Sequence, residues 1–499
     1  MNIIDNDLLS IQESRILAEN AREAQKKLAT FSQEKLDVIV ERMAEEIEKY
    51  AGELAKMSSE ETDYGIWQDK VIKNRFVCRF LRAGLRGMHC VGIIEEDSQN
   101  KTMDVGVPMG VIVALCPATS PVSTTIYKAL IAVKSGNAII FSPHPRAKNS
   151  ISRTLDILIR TAEENGLPEG ALAYLHTVTQ SGTIELMKHP VTSLIMNTGV
   201  PGMLKAAYNS GKPVIYGGAG NGPAFIERTA DIKQAVSDII ASKTFDNGIV
   251  SAAEQSIVVD GCIANEVKAE LESHGAYFMT EQESQKLGAL LFLPDGSLDS
   301  EMVGKSAREL AKRVGFPVSD KVVLLLSEQK YVFDTNPYSK EKLCPVLAYY
   351  IEDDWMHACE KCIELLLSER NGHTLVIHSN DEEVIRQFAL KKPVGRVLVN
   401  TPATFGSMGA TTNLFPAMTL GSGSAGEGIT SDNVSPRNLI YIRKVGYGVR
   451  KTEEIRALAE ESAVCDTAPA EIYNQENLQM LQRILNHVVS ELKDSGTEH

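Results

Sequence analysis

The 499-residue chain has no apolar run that approaches the ~20 residues a membrane-spanning helix needs. Its first residues, "MNIIDNDLLSIQESR", are polar and acidic, unlike a secretion signal. Long basic stretches are absent and the formal net charge is −14, which disfavours nucleic acid or an anionic membrane as the main partner. A local basic pocket for a phosphorylated cofactor is compatible with that balance. The eight cysteines are scattered along the chain and fit free thiols in a reducing cytoplasm. "HACEKC" places His357, Cys359 and Cys362 close together, but no second ligand pair follows, so no metal is expected. Its surroundings, "DDWMHACEKCIELLLSE", read as an amphipathic helix. The pair Gly199 and Gly202 in "NTGVPG" is a bare G-x-x-G and not the G-x-G-x-x-G fingerprint, so it licenses no ordinary Rossmann assignment.

What remains is the balance of an ordinary globular protein, with 43% apolar and 23% charged residues. At roughly 100–200 residues per domain the length implies two to four domains. Residues 10–57 read as helical, with Leu36, Ile39, Val40, Met43, Ile47 and Tyr50 at helix spacing. From about residue 105 short apolar runs ended by Gly, Pro or polar turns alternate with helical stretches. They include "GVIVALCP", "NAIIFSP", "SLIMNT" and "PVIYGG". A second series from about 228 contains "QSIVVD", "VVLLLSE", "LAYYIE", "TLVIHS" and "GRVLVNTP". Such alternation implies α/β domains, two here, each with a parallel sheet. At the end, "VCDTAPAEIYNQ" reads as a linker. "ENLQMLQRILNHVVSELK" then sets Leu478, Leu481, Leu485, Val488 and Leu492 on one helix face. That helix either docks on its own domain or serves as a detachable tag for a partner surface.

Four segments carry candidate chemistry. In residues 108–147 the strand Val111–Leu115 runs into a Pro/Ser/Thr turn, a helix, a second strand and "SPHPRA". Ligands bind at the carboxyl ends of parallel strands, so His144 and Arg146 sit where cofactor phosphates would lie. A plain βαβ unit with surface charges explains the same residues. In "NTGVPGMLKAAYNSGKPVIYGGAGNGP", Gly199 and Gly202 open a helix, and Gly217, Gly218, Gly220 and Gly222 follow a strand. The third segment is "FDNGIVSAAEQ", and the fourth is "EKLCPVLAYY", with Glu341 before an apolar strand.

Taken in this order, the segments resemble the aldehyde dehydrogenase superfamily over about residues 10–450. They are most similar to its CoA-acylating branch, which includes the aldehyde dehydrogenase half of bifunctional aldehyde–alcohol dehydrogenases and enzymes of bacterial microcompartments. "SPHPRA", "GVPGMLKAAY", "FDNG…EQ" and "TSDNVSP" carry the likeness together. The resemblance implies an α/β, aldehyde dehydrogenase-like fold with two parallel-sheet domains and a small oligomerisation flap. It sets a cofactor domain at 1–227, with 97–108 in the flap, and a catalytic domain at 228–430. An oligomerisation strand containing Tyr441 and Ile442 falls in 431–465, and a linker with a helix in 466–499. NAD or NADP is expected near Pro117, Ser142, Pro143, His144, Arg146, Thr198, Gly199, Gly202, Gly217 and Gly218. Glu341 resembles the glutamate that grips the nicotinamide-side ribose. The substrates implied are a short-chain aldehyde and CoA, and the assembly a homodimer or dimer of dimers. The tail 472–493 would meet a microcompartment shell or co-cargo. The location would be cytoplasmic or the lumen of such a compartment.

In that family a cysteine thiolate adds to the aldehyde, N–H donors hold the oxyanion, and loss of hydride leaves an acyl-enzyme thioester. Hydrolytic relatives carry a water-activating glutamate in E-L-G-G; here the matching segment is "YGGAGN". Without that carboxylate the acyl group passes to CoA, and reversal reduces acyl-CoA to aldehyde. Two positions depart from the pattern. Ser120 stands where acylating relatives often place the oxyanion Asn, and Thr119 stands where hydrolytic relatives place theirs. Ser251 stands at the nucleophilic cysteine. A serine hydroxyl is far less acidic than a thiol and needs a strong base beside it. The nearby motifs supply none, His373 being an active-site neighbour by resemblance alone. The exchange implies an inactive form, either a deliberate Cys→Ser change or a natural, catalytically silent binding or scaffold relative. The further alternatives are rescue by Cys116 or Cys344, and a hydrolytic aldehyde dehydrogenase.

Overall fold

A computed structural model describes residues 5–218, 220–368, 372–465 and 475–494. The N-terminal stretch forms three helices, Asn6–Leu28, Gln33–Glu48 and Ala51–Thr62, where periodicity alone suggests one continuous segment. The break arises at Thr30–Phe31, after which Ser32 caps the second helix by accepting the Lys35 amide. Leu36, Ile39, Val40, Met43 and Ile47 are buried on its inner face, as their spacing requires.

Two parallel sheets organise the chain. The first has five strands in the order Leu172–Tyr174, Ala138–Ser142, Val111–Leu115, Thr192–Thr198, Val214–Gly217. Its strands are buried along nearly their whole length, so each reads as an unbroken apolar run rather than an alternating one. The first strand in sequence is central, and the chain winds outward on one side before returning to the other. The winding direction therefore reverses between Val111–Leu115 and Thr192–Thr198. A crevice opens at such a switch point, outside the carboxyl ends of the strands.

The second sheet has seven strands in the order Ala276–Phe278, Leu324–Glu328, Val346–Glu352, Ser256–Asp260, Pro223–Ile226, Leu375–His378, Val397–Val399. The chain crosses between sheets after Gly217, so Pro223–Ile226 already belongs to the second, ahead of the expected boundary at 228. Both sheets lie in one compact unit, Met1–Glu95 with Asp104–Arg443. A three-stranded sheet has the order Gly92–Asp97, Thr102–Pro108, Ile440–Gly446.

The other unit comprises Glu96–Met103 and Lys444–His499. It contains the helices Thr452–Cys465 and Gln475–Asp494; the linker 466–474 lies outside the described residues. Leu478, Leu481, Leu485 and Val488 are each about half exposed. Within this unit the apolar face of the last helix is exposed at these four positions.

Among the described residues no helix is long and apolar enough to cross a membrane, and no group of three or more His, Cys, Asp or Glu side chains could hold a metal. Cys359 and Cys362 are core residues of the helix Trp355–Ser368, while His357 bonds Asp354 at its start.

Candidate active site

The segment before Ser251 is a tight turn, Phe245–Gly248, that follows the helix Ile232–Thr244. Asp246, Asn247 and Gly248 all have positive φ, at 51°, 52° and 72°. Three successive left-handed residues, two of them not glycine, need outside support. Glycine is required at 248, where a Cβ would lie 2.8 Å from the Cys344 carbonyl oxygen.

The support comes from the helix Trp67–Phe76. Lys70 and Lys73 bring their ammonium groups to Asp246 Oδ2 at 3.0 and 2.5 Å. Asp246 Oδ1 accepts the Ile66 amide at 2.6 Å, and the Asp246 amide donates to Asp69 Oδ2 at 2.7 Å. All three charged side chains of the central cluster are at most 3% exposed. Burial alone would raise the Asp246 carboxyl, but Lys73 and Lys70 outweigh it and hold it below the ordinary range. Burial, and then the neighbouring Lys73, push the Lys70 ammonium down to about 8.

This turn delivers Ser251 into a cavity of about 140 Å³. The same cavity is lined by Pro117, Thr119 and Ser120 from the turn after the first strand, and by Thr198 and Gly199 after the fourth. Gly217 ends the fifth strand and Gly218 follows it, and Glu341 comes from the second sheet's amino edge. Glu341 Oε1 accepts the Gly220 amide at 2.7 Å. Residues that follow strands of the first sheet thus meet residues that precede strands of the second.

A second cavity, of about 370 Å³, lies along the carboxyl edge of the first sheet. It is lined by Ser142, Pro143, His144 and Gly202, together with Cys116 and Thr183. Burial, and then Arg146, depress the His144 imidazole. Arg146 itself turns elsewhere: it pairs with Glu301 at 2.7 Å and lies over the Tyr64 ring, outside the lining of both cavities.

His373 stands behind the site rather than in its lining. A Cβ on Gly220 would lie 2.4 Å from His373 Nε2 and 1.9 Å from the Ser251 carbonyl oxygen. Its Nδ1 pairs with Thr374 Oγ1 at 2.8 Å, and burial, then Arg396, push its pKa down to about 3. Neither thiol offers a substitute nucleophile. Cys344 is buried with its thiol pushed up to about 11, and Cys116 is buried and raised likewise by desolvation. Neither lines the cavity that holds Ser251.

The aldehyde dehydrogenase family profile matches residues 10–290, more than half of the chain. The chain belongs to the aldehyde dehydrogenase family. It is 38% identical over 441 residues to the bifunctional aldehyde-alcohol dehydrogenase AdhE of Escherichia coli K12, covering 87% of this chain and 49% of that one. It thus spans about half the length of that relative. It is 33% identical to the acetylating succinate-semialdehyde dehydrogenase of Clostridium kluyveri, over 88% of this chain and 96% of that one. Among solved structures, a probable aldehyde dehydrogenase from Listeria monocytogenes EGD-e is 48% identical, with a TM-score of 0.89 over 91% of this chain and 100% of that one. A propionaldehyde dehydrogenase from the fucose utilisation microcompartment of Clostridium phytofermentans is 28% identical, with a TM-score of 0.78 over 86% and 96%.

In this member of the aldehyde dehydrogenase family, a crevice lies at the switch point, where open α/β sheets bind ligands. The two cavities flank the switch point, one small, the other larger and largely apolar. Between them Gly199 has φ 62°, and a Cβ there would fall 2.9 Å from the Pro117 ring. Close backbone approach by a ligand is possible only with that methyl absent. Lys70, Lys73 and Asp246 were not singled out by sequence. The two lysines are spaced i, i+3 on a helix, the ordinary look of a solvated face. Their partner lies 176 and 173 residues away, and only burial exposes the cluster.

Proposed function

We propose that this aldehyde dehydrogenase is built for NAD(P)-dependent conversion of a short-chain aldehyde to an acyl-CoA, and that Ser251 leaves it without the nucleophile for that reaction. Ser251, carried by the supported turn into the cavity shared with Ser120, Gly199 and Glu341, supports the reading. The relative named as acetylating supports CoA as the acyl acceptor. NAD(P), when bound, supplies the hydride acceptor. Pro117, Thr198, Gly199, Gly217, Gly218 and Glu341 would hold its nicotinamide side. Ser142, Pro143, His144 and Gly202 would hold its adenosine side.

The rest follows from this chain's own groups. Residues 216–221 contribute no carboxylate to activate water, and the Glu341 carboxylate is engaged by the Gly220 amide. Glu254 is buried against the Ala403 amide and does not line the cavity. An acyl group on residue 251 is therefore shielded from hydrolysis and left for an external thiol. His373, pushed down to about 3, is far too weak a base to activate a serine hydroxyl.

The test compares the protein with Ser251→Cys, following NADH formation from aldehyde with and without CoA. Activity only in the cysteine form, and only with CoA, is expected. Inertness of both forms while cofactor still binds would favour a silent binding or scaffold relative. One observation supports that second reading: the oxyanion position, Ser120, also departs from the family pattern, and it faces the same cavity.

The helix Gln475–Asp494 is proposed as a docking tag for a microcompartment shell or co-cargo, and Ile440–Gly446 as an oligomerisation strand. Tyr441 and Ile442 on that strand are both nearly half exposed. Deleting 466–499 should leave the unfolding midpoint and the oligomer unchanged while abolishing co-localisation with shell protein. A fall in the midpoint on deletion would mean that the helix is part of the folded core.

A further inference from the structure

Ser120 occupies the N-cap of the helix Pro121–Lys134 but makes no side-chain cap bond. A serine there ordinarily accepts an amide from the first turn. Its Oγ is instead engaged by Lys73 Nζ at 2.7 Å. An ammonium has three protons and no acceptor, so the direction of this bond is fixed: Lys73 donates and Ser120 accepts. The other Lys73 contacts, Asp246 Oδ2 at 2.5 Å and the Thr119 carbonyl at 3.4 Å, hold the amine in place. The single hydroxyl proton of Ser120 is left over, and Ser120 lines the cavity that holds Ser251.

We infer that Lys73 is a positioning residue that turns the Ser120 hydroxyl proton into the cavity, making Ser120 the side-chain donor to the oxyanion formed when a group at position 251 adds to a carbonyl. The inference rests on the carbonyl-addition chemistry proposed above. Asp246 anchors Lys73, so the turn that carries residue 251 and the donor that faces it share one buried cluster. The N-terminal end of the helix Pro121–Lys134 adds its partial positive charge at the same place.

The experiment uses the full chain carrying Ser251→Cys and the ester p-nitrophenyl acetate, without cofactor. A sulfur–carbon bond forms and the thiol proton passes to solvent. The carbonyl π pair moves to oxygen, then returns as the bond to p-nitrophenolate breaks. This reaction needs an oxyanion donor but neither hydride transfer nor CoA. Adding Ser120→Ala or Lys73→Met should slow p-nitrophenolate release by about 10²–10³-fold. Alkylation of the same thiol by iodoacetamide forms no oxyanion and should change by less than about threefold. In a Ser120→Asn background the carboxamide brings its own N–H, so Lys73→Met should cost less than about tenfold.

Unchanged ester acylation in Lys73→Met overturns the inference. So does a parallel fall in acylation and alkylation, which would mark a collapsed site. An equal cost of Lys73→Met with serine or asparagine at 120 overturns it too, as does a thiol that is alkylated but never acylated. Aldehyde oxidation with NAD and CoA is read separately. Its absence, with ester acylation responding as described, overturns the acylating function and supports the inference.

Discussion

Replacing Asp246 with asparagine tests whether the buried cluster supports the turn that carries Ser251. The exchange keeps shape and removes the carboxylate that pairs directly with Lys70 and Lys73, at 3.0 and 2.5 Å. Breaking a buried pair by removing one partner costs about 3–5 kcal/mol, because the remaining charge is left uncompensated. Two charges are stranded here, but they respond differently. Lys70 is already pushed down to about 8, so shedding its proton near neutrality costs only about 1.4 kcal/mol. Its share of the loss is capped there, and Lys73 carries most of the rest. The expected loss near pH 7 is about 3 kcal/mol or somewhat more. The sign with pH follows from Lys70, whose folded pKa is depressed below its unfolded value. Protonated Lys70 penalises the folded state below about pH 8, and the penalty fades as pH rises from about 8 toward 10.5. Asp246→Asn enlarges that penalty, so the gap between the two proteins should narrow above about pH 8. Urea unfolding followed by circular dichroism at both pH values reads it. A gap under about 1 kcal/mol near neutrality, or one that widens with pH, refutes the cluster as the support of the turn.

Acid stability follows the buried histidines. His378 is pushed down to about 4 by burial, and His373 to about 3 by burial and Arg396. The unfolded chain binds their protons first as pH falls below about 6.5, so stability is lost from there toward the folded pKa. His378→Gln should flatten this acid limb by up to about 3 kcal/mol between pH 6.5 and 4, and an unchanged slope in an unfolding titration would count against it. Gly248→Ala puts a Cβ at φ 72° within 2.9 Å of the Lys243 and Cys344 carbonyl oxygens. It should lower stability by more than about 1 kcal/mol, and an unshifted thermal midpoint would show that the turn relaxes freely.

Much of the scaffold is legible in the chain because parallel strands buried on both faces leave unbroken apolar runs. "VIVAL", "AIIFS" and "SIVVD" are such strands, in register with their neighbours. Site residues on the turns that follow first-sheet strands are legible for the same reason, since the strand ends mark the crevice. Thr119, Ser120, Thr198 and Gly199 meet Ser251 and Glu341 in one cavity. What sequence conceals is partnership across distance. Arg146, in "SPHPRA", has Glu301 within reach only once the chain is folded. Lys70 and Lys73 look like a solvated stripe until Asp246 is brought to them. The amino edge of the second sheet, where Ser251, Glu341 and His373 lie, is also not where strand ends alone direct attention. Nor does periodicity say whether the face of the last helix is covered; Leu481 and Leu485 are more than half exposed.

On the chemistry proposed above, the two serines bear unequally on the same step. In that proposal Ser251 would weaken the attack, because a hydroxyl without a base is almost never an alkoxide, and the His373 imidazole is held neutral and unbasic. Ser120 does not weaken the reception of an oxyanion to the same degree, because Lys73 holds its oxygen and leaves its proton to donate. A cavity with a polarised donor, a glycine-lined wall and a weak nucleophile is better suited to holding a carbonyl group than to attacking it. The proposal therefore puts the cost of a serine at 251 on bond formation rather than on binding. Restoring sulfur at that one position should recover the addition step without any change at position 120. If turnover returns only when Ser120→Asn is added as well, the Lys73-held hydroxyl is not an adequate donor, and the two positions must be read as lost together.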